Sequence, residues 1–190
     1  MASVTALPTG TANMSAGTTH QLMAANALAN DENYCQIDTA TLNAASPDTV
    51  FYSEWDDIAS GLPATSTITG LQVILPEMYG NVSQVNMYLS IDAGSAYSSA
   101  EAVDLSGMAK SGDSSVTTPA GETDLWGLTW DPASLDWDDV WLKISVNGGT
   151  ANRYFYFDYV QLKVFYSLPA ATKVLTINGS LTLNGQLTIK

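Results

Sequence analysis

From Tyr34 onward, hydrophobic and polar residues alternate in short runs, the signature of strands with one face buried and one face wet. Val85, Met87, Leu89 and Ile91 fall on one side of such a run, and Gln84, Asn86, Tyr88 and Ser90 on the other. The pattern predicts strands at Tyr34–Asp38, Val50–Trp55, Thr67–Leu75, Ser83–Asp92, Ala102–Leu105, Val140–Val146 and a long one at Tyr154–Tyr166. Turn-forming clusters separate them, among them Ser60-Gly61-Leu62-Pro63, Pro76 to Asn81, Asp92-Ala93-Gly94-Ser95 and Lys110 to Ser115. The one helix-friendly stretch is His20 to Leu28. Many half-apolar strands with almost no helix must cover one another, which predicts an all-β antiparallel sandwich over residues 25–168. A jelly-roll-like arrangement is preferred to an immunoglobulin-like one, because the Cys and Trp spacing of immunoglobulin domains is absent.

The pattern changes at both ends. Residues 1–24 are small, polar and turn-prone, with no period, and read as an extended N-terminal arm lying on a neighbour. After Leu168, Pro169 cannot donate a ladder hydrogen bond and acts as a stiff hinge. Residues 169–190 then carry the repeat LTINGS-LTLNGQ-LTIK, short alternating strands joined by Asn-Gly turns. So few repeats cannot bury a core of their own. The tail is therefore expected to serve oligomerisation or anchoring, with Leu175, Ile177, Leu181, Leu183, Leu187 and Ile189 meeting at the axis of a homotrimer.

Composition narrows the choice of partner. Nineteen acidic residues against six basic ones give a formal charge of −13, so nucleic acid and anionic lipid are repelled by most of the surface. Neither a basic, apolar leader nor an apolar run long enough to span a membrane occurs in the sequence. The lone cysteine, Cys35, allows no intrachain disulfide and reads as a buried, inert thiol.

Candidate chemistry is sparse. His20 is the single histidine and lies in the polar leader, so a nucleophile–base pair is not expected. The acidic groups Glu54, Asp56, Asp57 and Asp136, Asp138, Asp139 are where a glycosidase pair would be sought, but acidic residues this abundant read as solvated surface. Asp136, Asp138 and Asp139 are also the candidate ligands for calcium, a hard cation that takes loop oxygens, with the capping of a turn as the plainer reading. Otherwise no cofactor is expected and no enzymatic activity. Four tryptophans crowd into Trp126–Trp141; most are expected in the core, and Trp137, between acidic residues, is the candidate for exposure and glycan contact. Asp158 interrupts the last long strand and needs hydrogen bonds if it is buried.

Several segments, in this order, resemble virion structural proteins of tailed phages. They are Ala25-Asn26-Ala27 to Asp31-Glu32-Asn33-Tyr34, then Ser66-Thr67-Ile68-Thr69-Gly70-Leu71-Gln72-Val73, then Leu125-Trp126-Gly127 to Leu135, and finally Asp158-Tyr159-Val160 to Tyr166. The resemblance implies a jelly-roll-type capsid decoration, head-fibre or tail-associated protein on the outside of the particle. Its partners would be identical subunits and the major capsid or tail proteins, and host-surface glycans in an adhesin role. It supplies no catalytic residues.

Overall fold

The computed structural model describes residues 1–10, 24–38, 48–109, 114–119, 121–146 and 154–170. Within them the protein is nearly all β: ten strands in two antiparallel sheets, one six-residue α-helix and three short 3-10 segments. The strands are β1 (Ala2–Ala6), β2 (Cys35–Asp38), β3 (Asp48–Tyr52), β4 (Thr67–Gly80), β5 (Gln84–Ser90), β6 (Glu101–Asp104), β7 (Ser114–Thr117), β8 (Trp141–Val146), β9 (Tyr154–Phe157) and β10 (Gln161–Ser167). The helix α1 (Asp56–Gly61) follows β3.

The larger sheet is organised on β4. Its register with β9, Met78 opposite Phe157, continues into its register with β10, Ile74 opposite Gln161. Thus β9 and β10 lie end to end along one side of β4, and β7 pairs with the other side. Next to that composite strand, β1 pairs with β10 and β2 pairs with β9. The single strand expected at Tyr154–Tyr166 is thus one track in space, interrupted at Asp158-Tyr159-Val160. The core-facing pattern slips at the same place in both partners: Leu71, Val73 and Leu75 give way to Met78, and Leu162 and Val160 give way to Phe157. Between the two registers the Asp158 N–H donates to Glu77 O at 2.9 Å. The β4–β7 ladder also shifts between Leu75 and Met78, across Pro76, which has no N–H to donate.

The smaller sheet runs β3-β8-β5-β6. Its inner rows, Val50 and Tyr52, Leu142, Ile144 and Val146, Val85, Met87 and Leu89, meet Ile37, Phe155, Phe157, Leu162 and Val164 of the larger sheet. Each such side chain taken fully out of water contributes about 1.5–3 kcal/mol, which is why the alternation in the sequence decides the architecture.

Two departures from the sequence reading, at residues 2–6 and at Pro76 to Asn81, and one irregular tryptophan-rich loop have physical causes. Residues 2–6 are not part of a free arm: Val4 pairs with Val164 and Ala6 with Leu162, so β1 belongs to the sandwich, and its five residues are too few for their alternation to stand out. Trp126-Gly127-Leu128-Thr129-Trp130 forms no strand; Trp126 (φ +57°) and Gly127 (φ +68°) are both left-handed, which turns the chain back on itself. Turn residues at Pro76 to Asn81 do not end β4, which continues to Gly80 by changing partners. His20 and the residues 171–190, with Leu175, Ile177, Leu181, Leu183, Leu187 and Ile189, lie outside the described residues.

Cys35 is fully buried on β2, and burial pushes its thiol up to about 12. The native protein at pH 8 is expected to react with a thiol reagent such as DTNB orders of magnitude more slowly than the denatured chain; rapid native labelling would contradict this placement.

Candidate functional site

The tryptophans are the clearest test of where a ligand-facing surface lies. Trp55, Trp126, Trp130 and Trp137 are all buried, at 0%, 3%, 8% and 4% exposure. Three of them have the indole N–H engaged internally: Trp55 donates to Val140 O at 2.9 Å, Trp126 to Leu71 O at 3.0 Å and Trp130 to Leu125 O at 3.0 Å. An N–H left unmet inside would cost about 1–3 kcal/mol, so these bonds are what allow the rings to be buried at all. Trp137 stacks on Trp130, with ring centroids 6.1 Å apart. The expectation that Trp137 is exposed for glycan contact is therefore overturned: acidic neighbours place residues 136, 138 and 139 in water, while the ring between them turns inward.

The acidic run around it has a structural use. Asp136 is the N-cap of the 3-10 turn Trp137–Asp139, its Oδ1 accepting the backbone N–H of Asp138 at 3.0 Å. Asp131 holds the preceding turn in the same way, accepting from Ala133 N at 3.1 Å and from Ser134 Oγ at 2.7 Å, and these bonds hold its carboxyl below the usual range. Among the described residues no three His, Cys, Asp or Glu gather as a metal cluster, and Asp136, Asp138 and Asp139 are not brought together as calcium ligands. Gly70, prominent in the Ser66–Val73 segment, is required by contact: a Cβ there would meet the backbone of Gly121 and Glu122.

The half-exposed tryptophan is Trp141, on the outer face of the smaller sheet. Cross-strand register builds that face in rows. Phe51 of β3, Lys143 of β8 and Tyr88 of β5 stand in one row, Trp141 pairs with Ser90 in the next, and Thr49, Ser145 and Asn86 form the row on the other side. Tyr97, from the β5–β6 connection, leans over the centre. Its ring centroid lies 6.3 Å from Phe51 and 6.5 Å from Tyr88, and Phe51 lies 6.4 Å from Trp141. The Lys143 ammonium sits 3.9 Å from the Tyr88 centroid and 4.3 Å from that of Tyr97, a double cation–π contact. Removal from water lowers the Lys143 pKa from its ordinary value, and burial followed by the charge of Asp92 raises that of Tyr97. Gly94, with φ +78°, is locked by the same cluster, since a Cβ there would meet the Trp141 ring and the Tyr97 hydroxyl.

This arrangement gathers partly buried aromatic rings around one cation on the outer face of the smaller sheet, chemistry suited to stacking, while the hydroxyls of Thr49, Ser90 and Ser145 are buried. Sequence reasoning missed it because its residues come from three strands and a loop. The available signal was the polar-side alternation itself, in which Tyr88, Trp141 and Phe51 occupy outward positions. A second aromatic ladder covers the outer face of the larger sheet, where Tyr79 and Tyr156 stack at 4.8 Å with Tyr34 edge-on at 5.2 Å from Tyr79.

No model of a known protein family matches the chain, and a search of curated proteins returns no match.

Acrylamide quenching of tryptophan fluorescence checks the reversed assignment. Trp141→Phe is expected to remove most of the quenchable component, whereas Trp137→Phe leaves it nearly intact; the opposite result would return Trp137 to the surface.

Proposed function

We propose that this chain is a non-enzymatic structural protein of a tailed-phage particle, an oligomeric decoration or fibre subunit on the outside of the capsid or tail. The observation that carries the assembly part of this reading is a shared corner. β1 and β10 pair with Ala2 opposite Tyr166, so the start of β1 and the exit of β10 toward Pro169 lie at the same end of the sheet. Met1 and Leu168, at 74% and 60% exposure, are two of the three large hydrophobic residues exposed among the described residues. Apolar surface concentrated at the corner where β1 begins and β10 ends is what a multimer contact needs. In a trimer, Leu175, Ile177, Leu181, Leu183, Leu187 and Ile189 would close three tails around one axis, with the shell or tail proteins as further partners. The order of the four sequence segments supplies the phage context. Light scattering after size exclusion tests the assembly: the full chain is expected to elute as a trimer, and a chain ending at Thr172 as a folded monomer. A monomeric full chain would overturn the proposal.

A second reading, a carbohydrate-binding adhesin, is favoured by the outer face built from Phe51, Tyr88, Tyr97, Trp141 and Lys143. Sugar rings stack on such planes while hydroxyls and an ammonium bond their edges. On a glycan array the labelled protein is expected to bind a subset of glycans, with Trp141→Ala losing at least about tenfold, some 1.4 kcal/mol, and Trp137→Ala unchanged in binding wherever it folds. Equal binding by the wild type and Trp141→Ala would remove this face from consideration.

A further inference from the structure

We propose that the outer face of the smaller sheet takes an acidic sugar, a pyranose carrying a carboxylate, with Lys143 as the residue that reads the negative charge. This rests on the reading of that face as a carbohydrate site and names the class of sugar. Nineteen acidic residues against six basic ones leave carboxylates in excess, yet among the described residues Lys143 pairs with none. Its ammonium lies instead 3.9 Å from the Tyr88 centroid and 4.3 Å from the Tyr97 centroid. Loss of water lowers its pKa, and no neighbouring anion raises it back.

Ring faces offset part of that charge but accept N–H groups only weakly, so an ammonium with three donors keeps capacity for an oxygen acceptor. A carboxylate bound there makes a charge-assisted bond, roughly twice as strong as a neutral one. Covering the same face with a neutral ring would take more water from the ammonium and return no charge. The acid that acts on Tyr97, Asp92, is already engaged in its own turn: its Oδ1 accepts from Ser90 Oγ at 2.6 Å and from Ala96 N at 3.0 Å. Repulsion by the net charge of −13 is screened beyond about 8 Å at physiological salt, so a small monoanion in contact with Lys143 meets the local cation first.

The neighbours place a ring beside the charge. Trp141 stands two residues before Lys143 on the same face of β8, about 6.6 Å along the strand. One pyranose spans such a step, so a ring stacked on Trp141 brings a carboxylate on its edge to Lys143. In the adjoining row Asn86 pairs with Ser145, and its side-chain oxygen accepts from Gln84 Nε2 at 2.9 Å. The Asn86 amide nitrogen thereby remains a donor for a ring hydroxyl. A carboxylate is favoured over a phosphate monoester because one ammonium balances one negative charge, whereas a dianion adds to the repulsion of the acidic surface.

The test is a glycan array carrying uronic- and sialic-acid-terminated glycans beside their carboxyl-reduced counterparts, in which the carboxylate has become a hydroxymethyl group. The full chain is expected to bind at least one acidic member about tenfold or more tighter than its reduced counterpart, with a preference that shrinks as NaCl is raised. Lys143→Met is expected to erase that preference and leave weak, equal binding to both, and Lys143→Arg to keep most of it. Binding of acidic and reduced members alike, binding confined to neutral members, or a preference that survives in Lys143→Met would overturn the proposal and leave the carbohydrate reading standing; binding to no glycan would overturn both. Where Lys143→Met fails to fold, Asn86→Asp decides. It sets a carboxylate within diagonal reach of Lys143, so the acid preference is expected to fall about tenfold, and an unchanged preference refutes the site.

Discussion

The whole sandwich depends on the pairing of β4 with the composite strand made of β9 and β10. Over fourteen residues β4 satisfies its backbone against β10 and then β9 on one side and β7 on the other. The strands β1 and β2 take their ladder pairing from that composite strand. Because side chains alternate across each strand, one register fixes which residues face inward, and a slip of a single residue would turn Leu71, Val73 and Leu75 out to water. The interruption at Asp158 is compatible with this because β4 slips in step, so Phe157 and Met78 regain the core together.

Packing between the sheets explains the treatment of the tryptophans. The segment from Gly121 to Val140 contains no strand, yet it carries Trp126, Trp130 and Trp137 inward as a plug at the edge of the core. Indole hydrogen bonds to Leu71 O and Leu125 O stitch this loop to β4 and to itself, and Trp55 does the same from the other side through Val140 O. Aspartates at 124, 131 and 136 accept backbone N–H groups within the same loop. Abundant acidic residues thus serve here as turn and cap acceptors, which accounts for part of the negative charge.

With the large rings used internally, the outward chemistry of the small sheet falls to side chains of intermediate burial. Phe51, Tyr88, Tyr97 and Trp141 surround Lys143, and the ammonium is balanced by ring faces instead of a carboxylate. Phe51, Tyr88, Trp141 and Lys143 stand on paired strands, and Tyr97 leans over them from the β5–β6 connection; a preorganised aromatic face of this kind favours recognition.

The all-β class, most of the strands, the burial of Cys35 and the inward direction of most tryptophans were legible in the sequence, because period-two alternation is imposed locally by strand geometry and the hydrophobic effect. The capping use of Asp136 was legible too, since an aspartate two residues ahead of a backbone N–H is a local arrangement. Other features depended on contacts between distant parts of the chain. Whether residues 2–6 form a strand was decided by an open edge on β10, and whether Trp137 or Trp141 faces water was decided by which loop packs against Trp130. That Phe51, Tyr88, Tyr97 and Trp141 share one face, and that Glu77 stands across from Asp158, follow from registers between strands far apart in sequence. Local alternation says which side of its own strand a residue occupies; only the pairing of strands says whose side chains it meets there.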